Sequence, residues 1–451
     1  MATEQAFFAP QAWADGRWQY DVRLVVANGR WQSITPGASP HGATRLPGPV
    51  LPGVVNAHSH AFQRAIAGLT ERSGGRDDDF WSWRDRMYSA ALRITPGQLE
   101  AIATQLYAEL LAGGYTQVCE FHYLHHDLDG KPYADATELS LALVRAAQAT
   151  GIGLTLLPTL YMRSGFGATG LRDDQRRFGG TPASVLRLAE TVNALGLPGI
   201  HAGVALHSLR AVDAGALAEV AQASQRASWP VHIHISEQMQ EVNDCIAHHG
   251  QRPIEWLLAH APVDARWNLV HATHTTPAEL QGLQATGASI VICPSTEANL
   301  GDGVFDFTGW AGPGGAWSIG SDSHVTRRWS EELRLLEYSQ RLVRRQRNIA
   351  ARATGSDSTA AALLQGAVGG GSAAAGLALG GLAPGQRADF CVLQAEAPAL
   401  TGLPRSQLLD ALVFSSPDAP LHSVHVAGQP VAAPVPGRQA AFASAMQALW
   451  A

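Results

Sequence analysis

Apolar and polar positions change rhythm twice along the chain. Near the start they alternate in short stretches without helical periodicity. Residues 17–26 and 30–35 read as strands separated by the turn signal Ala27-Asn28-Gly29. From residue 51 to residue 372, apolar runs of strand length alternate with longer stretches of helical period. The strand candidates are residues 53–57, 117–121, 153–159, 201–206, 231–235, 267–271, 288–293 and 316–320. Helical patterns cover residues 96–112, 137–149, 181–195, 214–227, 238–249 and 277–287. Strands alternating with helices in this way predict an α/β chain folded as a (β/α)8, TIM-like barrel. After an alanine-rich helical stretch, Gly369-Gly370-Gly371 and Gly380-Gly381 punctuate the sequence. That region reads either as a flexible linker or, through Leu377 and Leu379, as buried chain. Residues 388–393, 411–414 and 424–427 then read as strands again, with Gly428-Gln429 as a hairpin turn. The two ends share a β character that the middle lacks. They predict one small β-sandwich domain built from residues 1–50 and 376–451, flanking a barrel of residues 51–375.

Composition narrows the class. A chain of 451 residues, 46% hydrophobic, has room for a barrel and an accessory domain with a core that needs no staples. The net charge of -6 disfavours nucleic acid as a partner. Cys119, Cys245, Cys293 and Cys391 are widely spaced and form no C-x-x-C, which suits buried thiols in a reducing cytoplasm. No basic segment followed by an apolar stretch opens the chain, and no apolar run is long enough to span a bilayer. The basic run at residues 341–347 follows Glu331, Glu332 and Glu337 in a helical pattern, and reads as a solvated or subunit-facing helix.

The densest chemistry is His58-Ser59-His60, directly after an apolar strand. Side chains at i and i+2 of a strand point the same way, so both imidazoles can converge on one point at its C-terminal end. That is half of a divalent metal site. His234 with Glu237, His271 and Asp322 fall at or just beyond other strand ends, on the face where a parallel barrel carries its active site. His232 lies on the same side as His234 and competes with it for the ligand role. A cation there lowers the pKa of a bound water towards about 7. Asp322 can orient that water, Glu237 can shuttle its proton, and His271 can stabilise developing charge. The bland reading of Glu237 is an acid opening the helix that follows it.

The pattern of His58-Ser59-His60, His234-Ile235-Ser236-Glu237 and Ser321-Asp322-Ser323-His324 resembles the amidohydrolase superfamily, in particular its mononuclear deaminase branch. The likeness runs from the opening 51–60 to the closing 382–390, nearly the whole chain. It implies one divalent ion, zinc, held by His58, His60, His234 and Asp322, with iron or manganese as substitutes. It also implies a homodimer. The only lysine, Lys131, lies in a polar Gly-Lys-Pro segment and offers no bridge for a second metal.

Further stretches resemble the members of that branch that hydrolyse a formimino group: 61–65, 79–88, 120–125, 207–210 and 293–303. They imply conversion of N-formimino-L-glutamate to N-formyl-L-glutamate and ammonia, in histidine degradation. Such a substrate carries two carboxylates, and guanidinium groups bind carboxylates bidentately. Arg84 and Arg210 are the candidate clamps, and Gln63, Tyr123 and His207 supply directional hydrogen bonds. Against these roles, Arg84 could pair with Asp79 or Asp85, Arg210 could cap the loop before Asp213, and Tyr123 could pack on Trp81 or Trp83. The competing functions are a deaminase or chlorohydrolase of a heteroaromatic ring such as guanine, and a non-catalytic metal-binding barrel.

Overall fold

The computed structural model describes residues 4–72, 79–431 and 435–451. Residues 1–3 and 432–434 of the predicted terminal domain lie outside the described residues. The barrel consists of eight parallel strands in sequence order: Val54–Ser59, Tyr115–His122, Gly153–Leu160, Val204–Leu206, Val231–Ile235, Trp267–His271, Ser289–Ile292 and Trp317–Ile319. Helices cover the outside, so the strands are buried on both faces and read as near-continuous apolar runs. Gly153–Leu160, for instance, is buried at all eight positions. The fourth strand is split: Ile200–Ala202 pairs with the start of the third, and Val204–Leu206 with its end. Gly203 sits at the break, where a Cβ would come within 2.6 Å of the Pro230 carbonyl oxygen. The last strand meets the first through one parallel bridge, Ser59 to Asp322. The seam of the barrel therefore lies at the predicted site.

Both chain ends build a second, mixed sheet, with the neighbour order Gln429–Pro430, Leu421–Val426, Phe390–Leu393, Val50–Pro52, Glu4–Ala14, Arg17–Ala27 and Arg30–Thr35. Phe7, Val22, Leu24, Trp31 and Phe390 fill its own small core. Val50–Pro52 pairs in parallel with Glu4–Ala14 and antiparallel with Phe390–Leu393, and only Gly53 separates it from the first barrel strand. The sheet thus anchors the strand that ends in the histidine pair.

Two expectations change. Residues 411–414 are not a strand but the end of a helix, Leu408–Phe414. Leu408, Leu409, Leu412 and Val413 are its buried positions, a helical spacing that a four-residue apolar window conceals. Nor do Gly369–Gly371 interrupt the chain: the helix Thr359–Ala375 runs through them. A Cβ on Gly370 would collide with the Trp317 carbonyl, so the missing side chain lets this helix lie directly on the last barrel strand. At its C-terminus the Ala374 carbonyl accepts from His232 Nε2 at 2.9 Å, which turns that nitrogen towards this helix. The final helix, Arg438–Trp450, leaves the sheet and packs on Pro96–Ala112 beside the barrel. Among the described residues no helix is long and apolar enough to cross a membrane.

Candidate active site

The strand ends bring the predicted ligands together. His58 Nε2 lies 3.4 Å from Asp322 Oδ1 and 3.0 Å from His234 Nε2. His60 Nε2 is also 3.4 Å from Asp322 Oδ1. Two overlapping groups, His58 with His60 and Asp322, and His58 with His234 and His271, each keep their ligand atoms within 4.8 Å of one another. All five residues are buried. Five backbone positions at this mouth are left-handed without being glycine: Ser236 at φ 52, His271 at φ 70, Ala272 at φ 50, Asp322 at φ 45 and His324 at φ 66. Strained residues of this kind persist where surrounding structure holds them, and they concentrate at functional sites.

The protonation states suit a cation. Burial lowers His58 to about 3, and lowers His60 and His234 as well, so these rings stay neutral with lone pairs free. Burial opposes the charge on Asp322, but its hydrogen bond with His58 and the neighbouring histidines outweigh that and hold the carboxyl well below its usual range. Neutral imidazole and ionised carboxylate are the forms that bind a divalent metal. The His60 ring is pinned by Nδ1, 2.9 Å from the Phe121 carbonyl oxygen, which leaves Nε2 as the ligand atom. The donor set fits one divalent ion.

Glu237 lies just before the N-cap Gln238 of the helix Met239–His249, and its Oε1 sits 3.5 Å from His271 Nε2. Burial raises its carboxyl to about 7, against the pull of His271. Burial disfavours a charged His271, but Glu237, Glu297 and Asp322 outweigh it and raise the ring to about 10. Glu297 Oε1 accepts from the Cys293 N–H at 3.0 Å and lies 3.4 Å from His271 Nδ1.

These groups face a cavity at the barrel mouth. It is lined by His60, Gln63, Arg84, Tyr123, His207, Arg210, His234, Glu237, His271 and Asp322, while His58 lies beneath it. Arg84, on the helix Phe80–Ala91, has a buried Nε without a partner and stacks 4.4 Å over Trp81. Arg210 Nε is likewise buried and unpartnered, with its guanidinium 5.6 Å from the Trp81 ring. The side chain of Asp213 caps the helix Ala214–Ala227 instead of pairing with Arg210. Gln63 Nε2 donates to the Tyr123 hydroxyl at 3.3 Å and leaves its own Oε1 unpartnered. His207 Nδ1 is 3.1 Å from Ser208 Oγ. Trp83 lines the cavity too. Lys131 is 81% exposed and pairs with Asp129, away from the cluster.

Four supporting residues carried no assigned role in the sequence. Glu120, at the end of the second strand, accepts from Ser59 Oγ at 2.7 Å and from the Ala61 N–H at 2.5 Å, on both sides of His60. Tyr107 donates to the same carboxylate at 3.3 Å. His324 spans the seam, with Nε2 3.0 Å from the His60 carbonyl oxygen and Nδ1 3.0 Å from Ser321 Oγ. Glu297 orients His271. The available signal was a carboxylate inside or beside an apolar strand, as in Val118-Cys119-Glu120-Phe121.

Comparison with known proteins gives the chain's family. Residues 50–431 match the model of the amidohydrolase family, and residues 4–48 match that of the formimidoylglutamate deiminase HutF N-terminal domain. The chain is 48% identical over 94% of both lengths to formimidoylglutamate deiminase of Pseudomonas aeruginosa. The crystal structure of an amidohydrolase from Brucella melitensis aligns with a TM-score of 0.93 at 43% identity, covering 99% of this chain and 100% of that one. An adenosine deaminase from Xanthomonas campestris with bound zinc shares the fold at 22% identity, with a TM-score of 0.80 over 98% and 97% of the two chains.

Proposed function

The chain belongs to the amidohydrolase family and, within it, to the formimidoylglutamate deiminases, and on that footing we propose that it hydrolyses N-formimino-L-glutamate to N-formyl-L-glutamate and ammonia, a step of histidine degradation. The observation that carries the substrate is a pair of half-buried arginines lining the cavity, Arg84 and Arg210, whose buried Nε atoms have no partner among the described residues. Two cations facing a cavity with unmet donors call for a ligand with two carboxylates. A neutral heteroaromatic ring carries no carboxylate to meet the two Nε donors.

One zinc ion, held by His58, His60, His234 and Asp322, supplies Lewis-acid activation of water when bound. The remaining chemistry belongs to side chains. Arg84 and Arg210 hold the carboxylates, and Gln63, Tyr123 and His207 fix the orientation of the formimino end. Water adds to the formimino carbon. Glu237 takes one water proton and delivers it to the terminal nitrogen; as the carbon–oxygen double bond forms, it carries the remaining hydroxyl proton to the same nitrogen, which leaves as ammonia. His271, flanked by Glu237 and Glu297, stabilises the developing charge.

Residues 1–50 and 376–451 form the accessory domain and residues 51–375 the catalytic one. The enzyme works in the cytoplasm as a homodimer; the four buried free cysteines suit a reducing compartment. Exposed Leu342 and Val343, at the end of the helix Trp329–Arg344, suit a subunit contact. The test of function is ammonia release from N-formimino-L-glutamate by zinc-loaded protein, with N-formimino-L-aspartate and guanine as controls. Turnover of guanine without turnover of the glutamate compound overturns the reading.

A further inference from the structure

Arg210 rides on the irregular segment after the fourth barrel strand, so no ladder of strand hydrogen bonds sets its direction. Four consecutive carbonyls of that segment are nevertheless occupied, all by two residues of the neighbouring loop. The Met162 N–H donates to the Ala211 carbonyl at 2.9 Å, and the Arg163 N–H to the same oxygen at 3.2 Å. The Arg163 side chain then donates from Nε to the Arg210 carbonyl at 3.1 Å. Its Nη2 reaches the Leu209 carbonyl at 3.2 Å and the Val212 carbonyl at 3.1 Å. Arg163 also lines the cavity. Its Nε–Nη2 edge, the one that would grip a carboxylate side-on, is committed to the backbone of the Arg210 loop.

We propose that Arg163 is a positioning residue that aims the Arg210 guanidinium at a substrate carboxylate, and so sets the preference for a dicarboxylate. The inference rests on the substrate reading above. Only a planar guanidinium spans this set of carbonyls; an ammonium is a point charge that cannot reach Leu209, Arg210 and Val212 together. Arg163 acts through Arg210, and its effect disappears when Arg210 is removed.

The test is a double-mutant cycle on the zinc-loaded enzyme with Arg163→Met, Arg210→Met and the double variant. Zinc content and melting temperature are recorded for each. Displacing a binding group by about 1 Å can cost on the order of 100-fold. Arg163→Met is expected to raise KM for N-formimino-L-glutamate by about 10- to 100-fold, with kcat within about threefold. In the Arg210→Met background the same change has no further effect on KM. The penalty also vanishes for one of the two mono-amides, N-formimino-L-glutamine or N-formimino-L-isoglutamine, namely the one lacking the carboxylate that faces Arg210. Arg163→Lys does not restore KM. Should Arg163→Met not fold, Arg163→Gln keeps one donor and shows the same selective loss in smaller measure. Additive losses in the cycle, an unchanged KM, or a fall in kcat alone overturns the inference. A wild-type enzyme inactive on N-formimino-L-glutamate defeats the substrate reading instead, a result distinguishable from any of these.

Discussion

His58 and Asp322 meet twice. The Asp322 N–H donates to the His58 carbonyl at 3.0 Å, and the carboxylate of the same aspartate lies 3.4 Å from His58 Nε2. The backbone contact closes the barrel and the side-chain contact builds the candidate metal centre, so the seam and the site are one structure. Asp322→Asn keeps the backbone seam and removes the anionic ligand. The variant is expected to fold, to bind zinc poorly by elemental analysis, and to lose nearly all ammonia release.

Metal removal reads the same linkage from the other side. A cation that binds only the folded barrel stabilises it by about 3 kcal/mol at a hundredfold excess over Kd. Chelation is expected to lower the melting temperature by several degrees, and added zinc to restore it. Asp322→Asn should show little of this response. Equal melting temperatures for chelated and zinc-loaded wild type would place the ion outside the folded core.

Glu237→Gln preserves shape and removes the proton carrier. Turnover is expected to fall by about 10²- to 10⁴-fold with zinc content unchanged. Burial raises this carboxyl to about 7, so in wild type the base is lost as pH falls through that region. The acid limb of kcat/KM belongs to this group, and a bound cation shifts the limb lower. Residual activity of Glu237→Gln should lack that limb. A variant with near-wild-type turnover would remove Glu237 from the mechanism.

Glu120 holds the backbone on either side of His60 through Ser59 and Ala61. Supporting residues of this kind typically contribute 10- to 100-fold to metal affinity, and about that loss is expected for Glu120→Gln. A competition titration with a zinc indicator measures it. At saturating zinc, turnover should recover to within a few-fold, which separates a support from a reacting group.

Neighbouring glycines of one helix should respond with opposite sign. Gly370→Ala drives a methyl into the Trp317 carbonyl and is expected to destabilise by about 1–3 kcal/mol. Gly369 is exposed, and a Cβ there meets nothing within 4 Å, so Gly369→Ala should stabilise by about 0.5–1 kcal/mol. Urea unfolding curves decide both.

The histidine pair was legible because strand geometry alone makes residues i and i+2 converge. His234, His271 and Asp322 were legible because each falls near or just beyond the end of an apolar run of strand length. What stayed hidden depends on distant partners. The helix through Gly369–Gly371 becomes intelligible only once Trp317 is known to press on it. Leu408–Phe414 shows four apolar residues in a row at its end, where helix and strand look alike. Arg210 was named as a clamp through the family resemblance, whereas the bonds of Arg163 to the Arg210 loop had no signal in the sequence.

The placement of Val50–Pro52 between an N-terminal strand and Phe390–Leu393 has a consequence in time. During synthesis the segment leading into the histidine pair emerges early, but its antiparallel neighbour is made hundreds of residues later. Until then one edge of that strand stays open. The ribosome can release most of a barrel before the sheet that braces its first strand is complete, so the brace beneath the histidine pair is finished only with the last part of the chain.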